Sequence, residues 1–185
     1  KEKENRSLIK PYDDIDIIAG QGTAGVEIAE DLKKISVTPD IYLCCCGGGG
    51  LIAGTSTYLK HEFPSLKSYS IEPEGFDDTK ISLENKKIIK NPSNTESICD
   101  ALLAPMPGDI TFPINLKNLE GGISVSDEEV KKTIIFLSEH LKIVVEPGGA
   151  VAVAALLNKK INVKNKKIVV MISGGNIDLD LFSSL

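Results

Sequence analysis

The sequence predicts an α/β fold in which a parallel β-sheet is covered by helices on both faces. Residues 41–46 and 167–172 are mostly apolar, as strands are when both faces of a parallel sheet are covered. Helical patterns alternate with such segments, and a glycine-rich turn follows each of these two. This alternation is typical of βα units. The 185 residues suit one domain, which we expect to span residues 1–185.

The charge balance limits the classes of partner. The chain has 21 basic and 26 acidic residues and a formal net charge of −5, so it lacks the basic excess that nucleic-acid backbones require. The apolar run at residues 41–53 contains four glycines and is too short to span a bilayer. The polar first residues do not resemble a signal peptide. We therefore expect a small-molecule ligand, with no nucleic-acid or membrane partner.

The first elements follow from apolar runs and glycines. Residues 1–10 are expected to end a helix, and residues 11–14 to form the turn after it. The apolar run at residues 15–19 predicts a strand, and the glycines at residues 20–23 predict a turn into the next helix. One side of that helix would be apolar, with Val26, Ile28, Ala29 and Leu32.

The middle of the chain contains the longest apolar run. Residues 41–46 predict a buried strand, followed by four glycines and a helix that continues to Lys60. Residues 68–72 predict another strand, and residues 75–84 a helix. Four prolines in residues 91–119 favour loops and short elements there.

In the last third of the chain, residues 122–125 precede a pattern that is typical of a helix start. Ser126 and Glu129 have the spacing of a capping box, and the helix after them has one apolar face formed by Val130, Ile134 and Leu137. The remaining elements are expected to be a short strand at residues 144–145, a helix at 148–157, a solvated lysine-rich loop at 158–167 and a last strand at 167–172.

The cysteines do not suggest a disulfide framework or a zinc site. Cys44, Cys45 and Cys46 are adjacent, and neighbouring side chains of a strand point to opposite faces. We interpret them, with Cys99, as small apolar residues. Reduced thiols are typical of a cytoplasmic protein.

Three junctions share the pattern of apolar strand, glycine-rich turn and helix, at residues 19–23, 46–51 and 172–176. In parallel sheets, ligands bind at the carboxyl ends of the strands, where glycines let backbone N–H groups approach an anion. Gly47, Gly48, Gly49 and Gly50 form the best candidate for a phosphate site. Close packing between helix and strand is the alternative. No Lys-Ser/Thr pair follows the glycines, so this is not a Walker loop.

Five motifs occur in one order along the chain: IAGQGT at residues 18–23, GGGGL at 47–51, IEP at 71–73, VEPGGA at 145–150 and SGGN at 173–176. Together they resemble the serine/threonine dehydratases and serine racemases, which are pyridoxal-phosphate (PLP) enzymes of fold type II. The resemblance runs from about Tyr12 to the last helix. It implies the large, cofactor-binding domain of a tryptophan-synthase-β-like fold.

The resemblance implies roles for two groups of residues around PLP. The N–H groups of the four glycines would hold the phosphate, and Leu51 would begin the helix that points at it. Ser173 would hydrogen-bond the pyridine nitrogen, and Gly174, Gly175 and Asn176 would form the wall beside the ring. The alternative role of Ser173 is to cap a helix.

The resemblance also implies a divalent cation and a supporting acid. In racemase-like members, Mg²⁺ or Ca²⁺ binds two acids and a backbone carbonyl, which here would be Glu72, Asp78 and the carbonyl of Phe76. The alternative is a solvated acidic loop that caps a helix. Glu146 matches an acid near the family's site, where it would support the site or pack at a strand end.

One family feature is missing from the sequence. The family forms a Schiff base through a lysine in a Ser-x-Lys-x-Arg-Gly motif, and no lysine here has that setting. We therefore expect no catalytic residue in this chain. The resemblance implies that it is a C-terminal portion, with the lysine upstream in the N-terminal part of the same enzyme, and a homodimer when complete.

The resemblance implies a cytoplasmic ammonia-lyase of amino-acid metabolism. It would dehydrate and deaminate serine or threonine to ammonia and a 2-oxo acid, with this chain supplying the phosphate and pyridine-nitrogen contacts. An amino-acid racemase, or a hydroxyaspartate or hydroxyectoine-pathway dehydratase, is an alternative on the same scaffold. A non-catalytic fragment or binding module is the alternative of a different class.

Overall fold

A computed structural model describes residues 9–185, so most of the helix end predicted at residues 1–10 lies outside the described residues. Seven α-helices and four strands follow in this part of the chain: α1 (Ile15–Lys34), β1 (Ile41–Cys45), α2 (Gly50–Glu62), β2 (Lys67–Pro73), α3 (Asp78–Asn85), α4 (Thr111–Asn118), β3 (Leu119–Val125), α5 (Asp127–Leu141), α6 (Pro147–Leu157), β4 (Ile168–Val170) and α7 (Leu179–Ser183). A short 3-10 helix, Asp100–Leu102, precedes α4.

The four strands form one parallel sheet in the order β3-β2-β1-β4. Every residue of β1, the apolar strand predicted at residues 41–46, is buried. Helix α1 packs on α2 and α5 packs on α6, and α2 and α6 contact the sheet. The predicted α/β class is confirmed. No helix within residues 9–185 is both long enough and apolar enough to cross a membrane.

The strand predicted at residues 15–19 is wrong, and so is the turn predicted at residues 20–23, because both segments belong to α1. Asp14 caps this helix by accepting the N–H of Asp16 at 2.9 Å. Gly22 and Gly25 have a packing role, since a methyl group would lie 3.3 Å from the carbonyl oxygen of Gly54 at the first and 2.9 Å from that of Thr55 at the second. One of the three predicted strand–glycine–helix junctions is therefore a contact between two helices.

Three further differences lie in the second half of the chain. Residues 144–145 form no strand and instead connect α5 to α6. Helix α4 forms within the proline-rich segment, because Pro113 lies in its first turn, where no N–H is needed. Strand β3 was not predicted, since Gly121 and Gly122 interrupt its apolar pattern. The capping box of Ser126 and Glu129 is present as predicted.

Candidate functional site

The predicted glycine loop connects β1 to α2 and lines a cavity of about 220 Å³. Its last turn depends on Gly49, whose φ of 88° lies in the left-handed region that favours glycine. A methyl group at Gly49 would also lie 2.7 Å from the side-chain nitrogen of Asn115. Glycine at this position is therefore required both by the backbone and by the packing.

Helix α4 and the turn before it hold the carbonyl side of this loop. The Thr111 hydroxyl donates to the Gly48 carbonyl at 2.7 Å, and the Asn115 amide donates to the Gly49 carbonyl at 3.3 Å. Within residues 9–185, no hydrogen bond is donated by the backbone N–H groups of Gly47, Gly48 and Gly49. With the positive end of α2 beside them, these N–H groups form a site that suits an anion.

The opposite side of the cavity comes from β4 and from the start of α6. Ser173 follows β4 and lines the cavity, together with Glu146 and Gly148. Ser173 does not cap a helix, because α7 begins at Leu179 and has Asp178 as its N-cap. The structure thus brings Ser173 and the glycine loop, predicted from distant parts of the chain, to one cavity.

Gly174 and Asn176 lie in the loop after Ser173 and are exposed. Gly174 has a φ of 64°, and a side chain there would collide with the Glu146 carboxylate. That carboxylate accepts the Asn176 N–H at 3.0 Å. Neither Gly174 nor Asn176 lines the cavity, so their predicted contacts with the ring stay a prediction.

The sequence did not identify Tyr12 as a residue of this cavity. Its ring lies against the glycine loop, and a methyl group at Gly48 would collide with it. Gln21, Ala101 and Leu102 also line the cavity. Tyr12 precedes the apolar residues of α1 and belongs to no periodic pattern, so no sequence signal placed it there.

Of the predicted cation residues, Glu72 lies on β2, Asp78 at the start of α3 and Phe76 between them, and none lines this cavity. Glu72 is fully buried and accepts the backbone N–H of Thr79 at 2.8 Å and of Lys80 at 2.9 Å. Burial and the neighbouring Asp78 carboxylate raise the pKa of Glu72 to about 8. Glu72 and Asp78 are therefore not solvated in the way that the alternative required, although Asp77 does occupy the N-cap position of α3.

Two buried oxygens at this place have no hydrogen-bond partner, Oδ2 of Asp78 and Oδ1 of Asn91. The other carboxylate oxygen of Asp78, Oδ1, accepts a hydrogen bond from the Asn91 amide. Burial raises the pKa of Asp78 to about 7. Residues 9–185 contain no cluster of three or more His, Cys, Asp or Glu side chains arranged to hold a metal ion. The carboxylate pair fits a cation only in part, because α3 already uses both oxygens of Glu72.

A larger, mostly apolar groove of about 800 Å³ lies between α1, α2 and α4. It contains none of the predicted cofactor residues. The predicted cofactor residues that line a cavity are found in the smaller one, at the ends of β1 and β4.

Comparisons with known proteins bear on the family of the chain. Residues 1–174 match the family described as "Pyridoxal-phosphate dependent enzyme". The chain is 38% identical to a serine racemase of Dictyostelium discoideum, with 100% of this chain covering 56% of that protein. It is 37% identical to an L-threonine ammonia-lyase of Thermotoga maritima, with 100% of this chain covering 45% of that protein. The chain therefore spans about half the length of these relatives.

The solved structure of maize serine racemase superposes with a TM-score of 0.88 at 34% identity, over 99% of this chain and 55% of that one. The similarity to these proteins in sequence and in fold thus extends over nearly the whole chain. The chain belongs to the family of pyridoxal-phosphate dependent enzymes.

Proposed function

We propose that this chain is the PLP-binding part of an enzyme that converts serine or threonine to ammonia and a 2-oxo acid. The observation that carries the proposal is that the glycine loop and Ser173 line the same cavity, at the carboxyl ends of β1 and β4. Phosphate and pyridine nitrogen are the two polar ends of PLP, and the two sides of the cavity offer one partner to each. Residues 1–185 would form the large domain.

Within this proposal the described residues bind and orient the cofactor. Gly47, Gly48, Gly49 and Gly50 would offer N–H groups to the phosphate, and Leu51 would begin the helix behind it. Ser173 would meet the pyridine nitrogen, with Gly174 and Asn176 beside the ring. When bound, PLP supplies an electron sink that acidifies the Cα–H of an amino acid.

Ser173 also bears on the type of reaction. A hydroxyl can donate to an unprotonated pyridine nitrogen, whereas a carboxylate would favour the protonated ring. The neutral ring withdraws electrons more weakly, which favours loss of a β-hydroxyl over accumulation of a carbanion. Serine and threonine both carry such a hydroxyl. A racemase is the second candidate, because a relative with that name is 38% identical.

The catalytic lysine would come from a part of the protein outside residues 1–185. The family's lysine motif is absent from these residues, and lysines such as Lys33 and Lys131 are engaged in ion pairs at the surface. The complete protein would then be a homodimer that binds an amino acid. The four cysteines are unpaired and buried, which supports a reducing compartment such as the cytoplasm.

A divalent cation, Mg²⁺ or Ca²⁺, is a separate part of the proposal. The unpaired Oδ2 of Asp78 supports it, since a buried carboxylate oxygen without a partner is costly. Glu72 and the carbonyl of Phe76 would be the other ligands. Oxygen ligands suit these hard cations, and the ion would hold the loop between β2 and α3.

The test uses the complete protein that contains this chain, purified with PLP and incubated with L-serine or L-threonine. Formation of a 2-oxo acid is measured with a coupled dehydrogenase, and formation of a D-amino acid by chiral chromatography. We expect 2-oxo acid from at least one substrate. D-serine without a 2-oxo acid would favour the racemase, and a protein that retains no PLP would contradict both candidates.

A further inference from the structure

The ends of β1 and β4 place a thiol beside the hydroxyl of Ser173. The strands pair in parallel with Leu43 opposite Val170, and the Met171 N–H donates to the Leu43 carbonyl at 2.9 Å. Cys45 and Ser173 follow within three residues of this pair. The Cys45 Sγ lies 3.1 Å from the Ser173 Oγ, a distance at which either group can donate a hydrogen bond.

The main chain of Ser173 is held separately by α6. Its carbonyl oxygen lies against Gly149, where a methyl group would collide with it. The Ser173 hydroxyl has no other hydrogen-bond partner among residues 9–185. Gly149 therefore leaves room for the main chain of Ser173, while the contact of its hydroxyl is with Cys45.

The direction of this hydrogen bond decides where the serine proton points, and either group can be the donor. A serine hydroxyl has one proton to donate, and a thiol can either donate or accept. If the Ser173 proton went to sulfur, only lone pairs would face the cavity. If the Cys45 S–H donates to Ser173 Oγ, the serine proton is free to point into the cavity, towards an unprotonated ring nitrogen.

We propose that Cys45 is a positioning residue for Ser173, whose hydroxyl it orients so that the serine proton points at the pyridine nitrogen of PLP. This inference rests on the function proposed above. It gives Cys45 a role beyond filling space in the sheet. Cys45 is 5% exposed and lines the cavity with Ser173, as a group that acts through that hydroxyl must.

Cys44 provides a matched control. It is the preceding residue of β1 and is fully buried, but its thiol points at the Cys45 carbonyl and does not line the cavity. Loss of either thiol removes one buried sulfur from the same strand. Only the loss of Cys45 should change the binding and the absorbance of PLP.

The experiment compares Cys45→Ala, Cys45→Ser and Cys44→Ala in the complete protein. It also includes Ser173→Ala and the double variant Cys45→Ala/Ser173→Ala. The Kd for PLP is measured by fluorescence titration, and the absorbance of bound PLP is recorded across the neutral and alkaline pH range. Circular dichroism confirms that each variant is folded.

We expect Cys45→Ala to weaken PLP binding about fivefold, the factor that one neutral hydrogen bond typically contributes. It should also shift the pH midpoint of the bound-PLP absorbance. Cys45→Ser keeps a donor and should restore both values. In the Ser173→Ala background, Cys45→Ala should have no further effect, because the group on which it acts is gone.

Two results would overturn the inference while leaving the proposed function intact. Cys45→Ala could match Cys44→Ala in both Kd and absorbance, or its full effect could persist in the Ser173→Ala background. Either result would give Cys45 a packing role only. If Ser173→Ala itself changes neither value, or the unaltered protein binds no PLP, the assignment of Ser173 fails and the inference fails with it.

Discussion

The carboxylate of Glu146 accepts a hydrogen bond from the backbone N–H of Asn176 at 3.0 Å. The backbone N–H of the same glutamate donates to the Gly174 carbonyl at 3.3 Å. Glu146 thus holds the loop after Ser173 through its side chain and its main chain. Gly174, at a φ of 64°, allows the loop to pass this close to the carboxylate.

We expect Glu146→Ala to lower the free energy of unfolding by about 1 kcal/mol, the typical net contribution of one hydrogen bond. It should also weaken PLP binding by the complete protein, because the loop that carries Ser173 loses its side-chain anchor. Glu146→Gln keeps an acceptor oxygen and should show a smaller effect on both. Urea unfolding and PLP titration measure the two effects. Equal results for Ala and Gln would contradict this role of the carboxylate.

Gly49→Ala should lower the free energy of unfolding by about 1–3 kcal/mol, because a side chain is strained at a φ of 88°. PLP retention after dialysis should fall, and Gly49→Asp should abolish it by adding a negative charge next to the phosphate. Gly121→Ala is the control, since a methyl group there has no atom within 4 Å. Undiminished PLP in Gly49→Asp would contradict the phosphate site.

Two glycines near the contact between α1 and α2 should respond in opposite directions to alanine. A methyl group at Gly54 would collide with the Ile18 carbonyl oxygen, so Gly54→Ala should destabilise the fold by about 1–3 kcal/mol. Gly20 is exposed, with no atom within 4 Å of a methyl group, and Gly20→Ala should stabilise by about 0.5–1 kcal/mol. Thermal unfolding of both variants tests this prediction, which fails if both shift Tm in the same direction.

Stability should fall as the pH rises from about 4.5 to 8 when EDTA removes metal ions. Glu72 and Asp78 have raised pKa values of about 8 and 7, so in this range the folded state holds more protons than the unfolded state. Their stabilising contribution is complete below the unfolded pKa and is lost as the pH rises through the folded pKa. Glu72→Gln should make the slope shallower. Glu74→Gln changes an exposed acid on the same segment and should leave the slope unaltered.

Mg²⁺ or Ca²⁺ should raise the Tm of the protein above its value in EDTA. An ion that binds only the folded state adds about 2.7 kcal/mol when its concentration is a hundred times its Kd. Glu72→Ala or Asp78→Asn should abolish the increase, whereas Glu74→Ala should preserve it. Identical melting curves with the cation and with EDTA would contradict the cation site.

The parallel sheet and the glycine loop could be predicted because their signals are local. An apolar run followed by four glycines has few other structures available, and β1 with its loop formed at the predicted place. Ser173 was also identified, but only through the family resemblance. The residues around Ser173 show no periodic pattern that would predict a ligand. Without the resemblance, a helix cap would have been the preferred interpretation of this serine.

The errors at the start of the chain came from residues whose environment is set by distant parts of the chain. Residues 15–19 have the composition of a strand, but Asp14 and the packing of α1 on α2 make them helical. Gly20 and Gly22 suggested a turn, yet both lie within α1, and Gly22 closely approaches Gly54 of α2, which the local pattern does not show. Tyr12 precedes α1 and lies against the glycine loop, which is about 35 residues further along the chain.

Cys45 and Ser173 are 128 residues apart, which determines the order in which the site is assembled during synthesis. At typical translation rates, the ribosome needs roughly 6 to 25 s to pass from one to the other. During this interval β1 lacks its neighbour β4, so one edge of an apolar strand can pair with other nascent chains. The strand made last in the sheet therefore sets both the earliest time at which the cavity can form and the period during which the unfinished protein is prone to aggregate.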